Sequence, residues 1–231
     1  MAVTLNGRLS PAFYSLFRCF AIFLFSTLYP PPSTLSAYEG TLTPQEVEGT
    51  LENTKLNEVF GQYLATVQMY DPERATRMGV HGSDAVLTQR TQERVNKQLE
   101  AFKKLRNTLH GIKTASMYPV LQVDYSVLDH ILEVDIYEMG NLGVLKKRPQ
   151  YYLEPLFSVY QLLSKDFADY NVRAGNAMSR LREFPQVLEQ AERNLSRPPA
   201  IWTEVALKQT DDALNGFSDF ILLFRGYTRY D

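Results

Sequence analysis

The chain has 231 residues, 45% hydrophobic and 22% charged, which is the composition of a folded globular protein and excludes a disordered tail. A formal charge of −2 excludes the broad basic field that nucleic-acid binding needs. The single cysteine, Cys19, excludes an intrachain disulfide and any Cys-x-x-Cys redox or metal motif.

Residues 1–37 differ in composition from the rest of the chain. Their only charged side chains are Arg8 and Arg18, and after Arg18 comes the apolar run CFAIFLFSTL, Cys19–Leu28. The stretch YPPPSTLSA then offers Ser36 or Ala37 ahead of a cleavage point, so the segment reads as a secretory signal peptide. A run of this length is shorter than the roughly 20 residues that a spanning helix needs. The alternative is an uncleaved amphipathic anchor over residues 11–28, helped by AFYSLF. A lipoprotein signal is disfavoured because charged Arg18 precedes Cys19, where a small residue is wanted. Cleavage would remove both arginines and the cysteine, leaving the fold to stand on its core. The expected product is exported, periplasmic or extracellular, and touches membrane only through this N-terminal segment. Residues 38–231 are expected to form one helical domain.

After Pro30–Pro32 nearly every segment carries helical periodicity, with no alternating strand pattern and no repeat. Thr43-Pro44 opens the first helix, with Glu46 in its first turn and Val47, Leu51, Leu56, Phe60, Leu64 and Val67 as apolar positions. Asp71-Pro72 restarts a short helix that Gly79 ends. A third helix is expected over 91–109 with Val95, Leu99, Phe102 and Leu105 inward and Gly111 as C-cap. The fourth covers about 117–139 and stops at GNLG. A fifth starts near Pro149 and runs through QYYLEPLFSVYQLLSKDF, and a sixth occupies part of 171–184. Pro185 is placed at the first position of a separate helix, PQVLEQAERNL. Pro198-Pro199 opens the last one, with Trp202, Val205, Ala206, Ala213 and Phe217. The stripe Leu181, Phe184, Leu188, Ala191 and Leu195 has core spacing. The fold class is all-α, an antiparallel multi-helix array.

Few groups suggest chemistry. A phosphate loop and a nucleophile elbow are both missing from the sequence. His130 and Glu133 can meet on one helix face, but two ligands fall short of a catalytic zinc site and His-Glu-x-x-His does not occur. On the fourth helix, Val120, Val123, Val127, Ile131 and Val134 group on one side. Leu121, Leu128, Leu132 and Met139 group on an adjoining side, with Asp124 and Asp135 in the seam. Eleven residues place those carboxylates about 16 Å apart, too far to share one bond as glycosidases require. Each is expected to meet a cation or backbone donor, with Arg173, Arg180 and Arg182 as candidate partners. KKRPQYY could recognise a carboxylate or phosphate, giving Lys147, Arg148, Tyr151 and Tyr152 as candidate ligand-binding residues. The plainer reading is a solvated loop before a helix, with Tyr152, Leu156, Tyr160, Leu163 and Phe167 packing inward. His81, in VHGSD, is expected to orient the turn after Gly79, where Ser83 or Asp84 bonds local backbone.

DPERATRMGVHGSD followed by LEAFKKL resembles the start of the bacterial family called domain of unknown function 885. RPQYYLEPLFSVYQLL and RLREFPQVLEQAERNLSRPPAIWTEVALKQT resemble its later segments, so the likeness covers roughly residues 50–215. The resemblance implies a largely helical, often exported protein, considerably longer than this chain. Its second half is similar to zinc metallopeptidases of the thermolysin-like superfamily. On that resemblance this chain would be the N-terminal portion of a larger helical metallopeptidase-like fold, a wall or lid of the substrate channel. The family's zinc site, a His-Glu pair with a further His, lies beyond the part resembled, so no cofactor is expected in this chain. The segment ILLFRGYTRYD departs from the pattern, which suggests a truncated or split family domain, inactive alone. A separately encoded C-terminal catalytic half would then be its partner. The alternative is a self-sufficient periplasmic helical binding module for a peptide or acidic ligand, built on the KKR loop and the helix after Pro149.

Overall fold

A computed structural model describes residues 44–216 together with 221, 222 and 224, and of 44–48 only the backbone. The expected signal or anchor, Thr43, the Glu46 and Val47 side chains and Phe217 lie outside the described residues.

Eight α-helices and no strand occur among the described residues: α1 Pro44–Tyr70, α2 Pro72–Arg77, α3 Gln92–His110, α4 Pro119–Tyr137, α5 Val144–Lys147, α6 Glu154–Ser164, α7 Tyr170–Asn194 and α8 Ala200–Asn215. None is long and apolar enough to cross a membrane. α1 and α3 run antiparallel. Met69, at the end of α1, accepts from Arg94 at the start of α3, while Glu52 Oε2 near the other end accepts from Lys113 N at 2.9 Å. α3 and α4 do the same, with Leu99 beside Gly140 at one end and His110 beside Asp129 at the other.

The largest core lies between these three helices. Leu56, Val59, Tyr63 and Val67 of α1 meet Phe102, Leu105 and Leu109 of α3 and Leu128 and Leu132 of α4. A second core joins Leu87, Val95, Leu145, Tyr152 and Val187, and a third joins α6 to α7 through Val159, Leu162, Leu163, Ala174 and Ala177. Glycine sets one close approach: a Cβ on Gly49 would stand 2.7 Å from the Ser116 carbonyl oxygen.

Local chemistry explains the helix boundaries. Thr91 caps α3 by accepting from Arg94 N at 3.2 Å, and Gly111 follows as C-cap in right-handed geometry. α4 unwinds through one π turn, Glu138–Leu142, and stops at Gly143, whose φ of +66° suits glycine. Gly143→Ala is expected to cost about 1 kcal/mol, read as a lower urea midpoint with an unchanged slope.

Several expectations are corrected. Pro185 lies inside α7 and does not begin a helix. Its ring is on the exposed side, where water can take the hydrogen bond its missing N–H cannot make. The expected fifth helix is broken into a 3-10 turn, Pro149–Tyr152, and α6, which stops at Ser164 short of Phe167. Leu51 and Tyr160 are exposed. On α4 and its π turn Leu128 and Leu132 are buried and Leu121 and Met139 half-buried. Of the expected valine side only Ile131 packs on the core, while Val120, Val123, Val127 and Val134 face solvent, Val120 at 69%. Leu188 of the expected α7 stripe is 48% exposed, and Val187 is the residue packed inward.

Candidate functional site

Asp71, Glu73, Arg74, His81 and Asp84 of DPERATRMGVHGSD converge with residues from several other segments of the chain. α2 is short and strongly specified: Pro72 fits its first turn and Asp71 Oδ1 accepts from Arg74 N at 3.0 Å. Met78 caps it, and Gly79 leaves in the left-handed region at φ +82°. Residues 78–91 then have no regular helix; Met78, Gly79, Val80 and Val86 bond to backbone carbonyls, and the N–H groups of Leu87, Thr88 and Arg90 are taken by side chains.

Glu73, fully buried, anchors the first cluster. Its Oε1 accepts from Arg90 Nη2 at 3.0 Å, and its Oε2 accepts from Thr88 N at 2.9 Å and from the Thr88 hydroxyl. Arg90 also donates to the carbonyls of Thr88 and Tyr151, both at 2.9 Å, and lies 4.7 Å over the Tyr151 ring. Burial works against the Arg90 charge, but Glu73 together with Tyr151 and Glu154 outweighs it and holds the guanidinium pKa above its ordinary value.

Arg74 forms the second cluster. Its Nη1 grips both oxygens of Asp135, at 2.8 and 2.9 Å, and its Nη2 donates to the Tyr63 hydroxyl at 2.7 Å. Asp135 thus finds an arginine, but on α2: the expected partners Arg173, Arg180 and Arg182 lie elsewhere. Arg173 binds Asp166 at 3.1 Å and the Ala168 carbonyl at 2.7 Å, and Arg182 is exposed. Burial pushes the Tyr63 phenol up to about 12.

Arg180 of α7 closes the third cluster. Its Nη2 donates to Thr76 Oγ1 at 2.7 Å and its Nε to the Val86 carbonyl at 3.1 Å. Thr76 in turn donates to Asp84 Oδ1 at 2.6 Å, and His81 Nδ1 stands 2.9 Å from Asp84 Oδ2. The His81 ring stacks on Phe167 with centroids 3.6 Å apart. His81 therefore orients the turn, as its sequence setting suggested.

The rest of α7 extends the grip. Glu183 accepts from Leu87 N at 3.2 Å, Gln190 from Arg90 N at 2.8 Å, and Asn194 donates to the Arg90 carbonyl at 2.7 Å. With Arg180 and Val187 these residues share one face of the helix.

At the other edge of the cluster Asp71 and Glu154 bring two carboxyl groups together, from the starts of α2 and α6. Burial, followed by the Asp71 charge, pushes Glu154 up to about 7. Burial, followed by the Glu73 charge, raises Asp71 as well. Glu154 can therefore hold a proton near neutral pH.

The sequence-derived ligand candidates divide. Lys147 is exposed, and Arg148 reaches Glu138 at 3.2 Å. Tyr151 is half-buried under Arg90, and buried Tyr152 donates its hydroxyl to the Leu145 carbonyl at 2.8 Å. Arg148, Tyr151 and Tyr152 are thus each engaged with a different partner.

Among the described residues the donor groups do not fit a metal centre. His81 is engaged with Asp84, and His110 shares Asp129 with Arg106, both at 2.7 Å. His130 is exposed, and Glu133 faces Arg106 at 3.6 Å. Among the described residues no set of three His, Cys, Asp or Glu side chains could hold a metal ion.

Residues 72–225 match the family model described as "Bacterial protein of unknown function (DUF885)". No curated protein matches the chain. In the solved structures, the chain is similar to one described as "a putative lipoprotein of unknown function from Shewanella oneidensis", with a TM-score of 0.64 at 21% identity. That likeness covers 75% of this chain and 31% of the Shewanella chain, so the present chain spans about a third of its neighbour.

Proposed function

The chain belongs to the DUF885 family, and from that premise we propose that it is the N-terminal helical portion of an exported zinc-peptidase-like assembly, forming a wall or lid of the substrate channel and inactive alone. The observation that carries this reading is that most of the chemistry-bearing groups are engaged with one another, Arg180 Nη1 being an exception. Glu73, Arg90, Arg74, Asp135, Thr76, Asp84 and Arg180 hold helices and loop in place, which is scaffold work.

Two further observations support it. The chain matches only 31% of a much longer neighbour, so a larger protein around this fold has a precedent. The valine face of α4 and Ile201, Val205, Leu207 and Leu214 of α8 are exposed, as expected of helices that pack on further protein. A separately encoded catalytic half is the partner this reading calls for. Zinc belongs to that half. Export is supported by the signal-like sequence of residues 1–37 and by the lipoprotein description of the neighbour.

The purified chain is expected to leave a fluorogenic peptide library intact, with or without added zinc. Zinc-dependent cleavage that a chelator abolishes would overturn the proposal.

A further inference from the structure

Where the last turn of α1 meets the loop before α3, a half-open cleft of about 180 Å3 is lined by Gln68, Met69, Tyr70, Val86, Gln89 and Arg94, among others. Arg94 is its unusual member. The guanidinium lies 4.4 Å over the Tyr70 ring and donates through Nη2 to the Met69 carbonyl. Its Nε–H is shut off from water and has no partner.

Among the described residues no carboxylate lies within ion-pair distance of Arg94. The adjacent acid, Glu93, is taken by Lys97 at 2.6 Å. Arg74, Arg90, Arg106, Arg148 and Arg173 each have a carboxylate partner. Arg94 also sits in the first turn of α3, where the positive end of the helix disfavours a cation. A half-buried cation placed against the helix dipole, with no counter-charge, has the electrostatics of an anion site.

The walls narrow the class of anion. Met69 and Val86 are exposed apolar side chains on the rim, and Leu87 adds a buried one. Gln89 is exposed, and Gln68 holds its amide 3.3 Å from Ser83 Oγ. Gly82 preserves that arrangement, because a Cβ there would come within 2.0 Å of Gln68 Nε2. A small hydrated anion has no use for the apolar rim, whereas a peptide end needs a cation, amide partners and an apolar wall together.

We propose that this cleft binds the C-terminal carboxylate of a peptide. Arg94 pairs with the carboxylate, Gln68 and Gln89 meet the terminal amide groups, and Met69 and Val86 cover an apolar last side chain. The site stands on its own geometry and does not depend on where any hydrolysis takes place.

The test is an NMR titration of the full chain with acetyl-Gly-Ala-Leu bearing a free carboxylate, and with the same peptide amidated. The acid is expected to bind about tenfold or more tighter than the amide. Arg94→Gln should bring the two to the same value, and Arg94→Lys should keep a reduced preference. Equal binding of acid and amide by the parent, which needs no variant to be informative, would overturn the proposal. So would a preference that survives Arg94→Gln in a folded protein, or displacement of the acid by inorganic phosphate at equal concentration.

Discussion

Glu73→Ala is expected to lower the stability of the protein by about 3–5 kcal/mol, the largest effect of any single change in the cluster. The reason is the charge it leaves behind. Arg90 is fully buried, and without Glu73 its guanidinium keeps only carbonyl acceptors and the Tyr151 ring. Thr88 loses the acceptor of both its N–H and its hydroxyl in the same step. Urea unfolding followed by circular dichroism measures the loss. Replacing both members, Glu73→Met with Arg90→Met, should recover much of it, because two apolar side chains leave no unpaired charge. A single variant within 1 kcal/mol of the parent would show that Arg90 does not need its carboxylate.

Glu154→Gln is expected to do the reverse and stabilise the protein above pH 5. Glu154 ionises near 4.5 in the unfolded chain and near 7 in the folded one, so between those values the folded state holds a proton that the unfolded state has lost. Stability therefore falls as pH rises from 4.5 to 7 and then levels off, with a total on the order of 2–3 kcal/mol. The raised carboxyl of Asp71 acts with the same sign. Glutamine cannot ionise, so the variant should gain steadily on the parent across that window and keep its gain at pH 8. Urea midpoints at pH 5, 6, 7 and 8 decide it. Parallel curves for the two proteins would mean that Glu154 ionises as freely in the fold as in water.

Much of the fold was legible because its signals are local. Thr91, Gly111, Pro72, Gly79 and Gly143 mark helix ends through their own backbone preferences, and the core residues of α1, α3 and α4 follow helical spacing. Pro185 misled because proline reads as a helix start, while an exposed ring on a long helix is tolerated where water solvates the freed carbonyl. The valines of α4 misled for another reason: an apolar stripe carries no information on which neighbour covers it, and the described residues leave this one exposed.

The candidate site was less legible. On α7 the apolar stripe drew attention to Leu181, Phe184, Leu188, Ala191 and Leu195. The residues that grip the loop are Arg180, Glu183, Val187, Gln190 and Asn194, one position earlier in every turn. Polar spacing of that kind reads as a solvated face unless the loop it meets is known. Arg74 likewise pairs with Asp135 across sixty-one positions, and nothing near either residue indicates the other. Arg94 shows no sequence signal at all, since its significance is the carboxylate it lacks.

The grip of α7 on residues 83–90 also fixes an order of events during synthesis. The Arg90 main chain waits for Gln190 and Asn194, which lie 100 and 104 positions downstream. On a bacterial ribosome that gap lasts on the order of 5–20 s. Through it the loop emerges with its peptide groups bonded to water, and only the arrival of the later helix lets those groups leave solvent. The Arg90 main chain is thus made well before the helix that completes its hydrogen bonds.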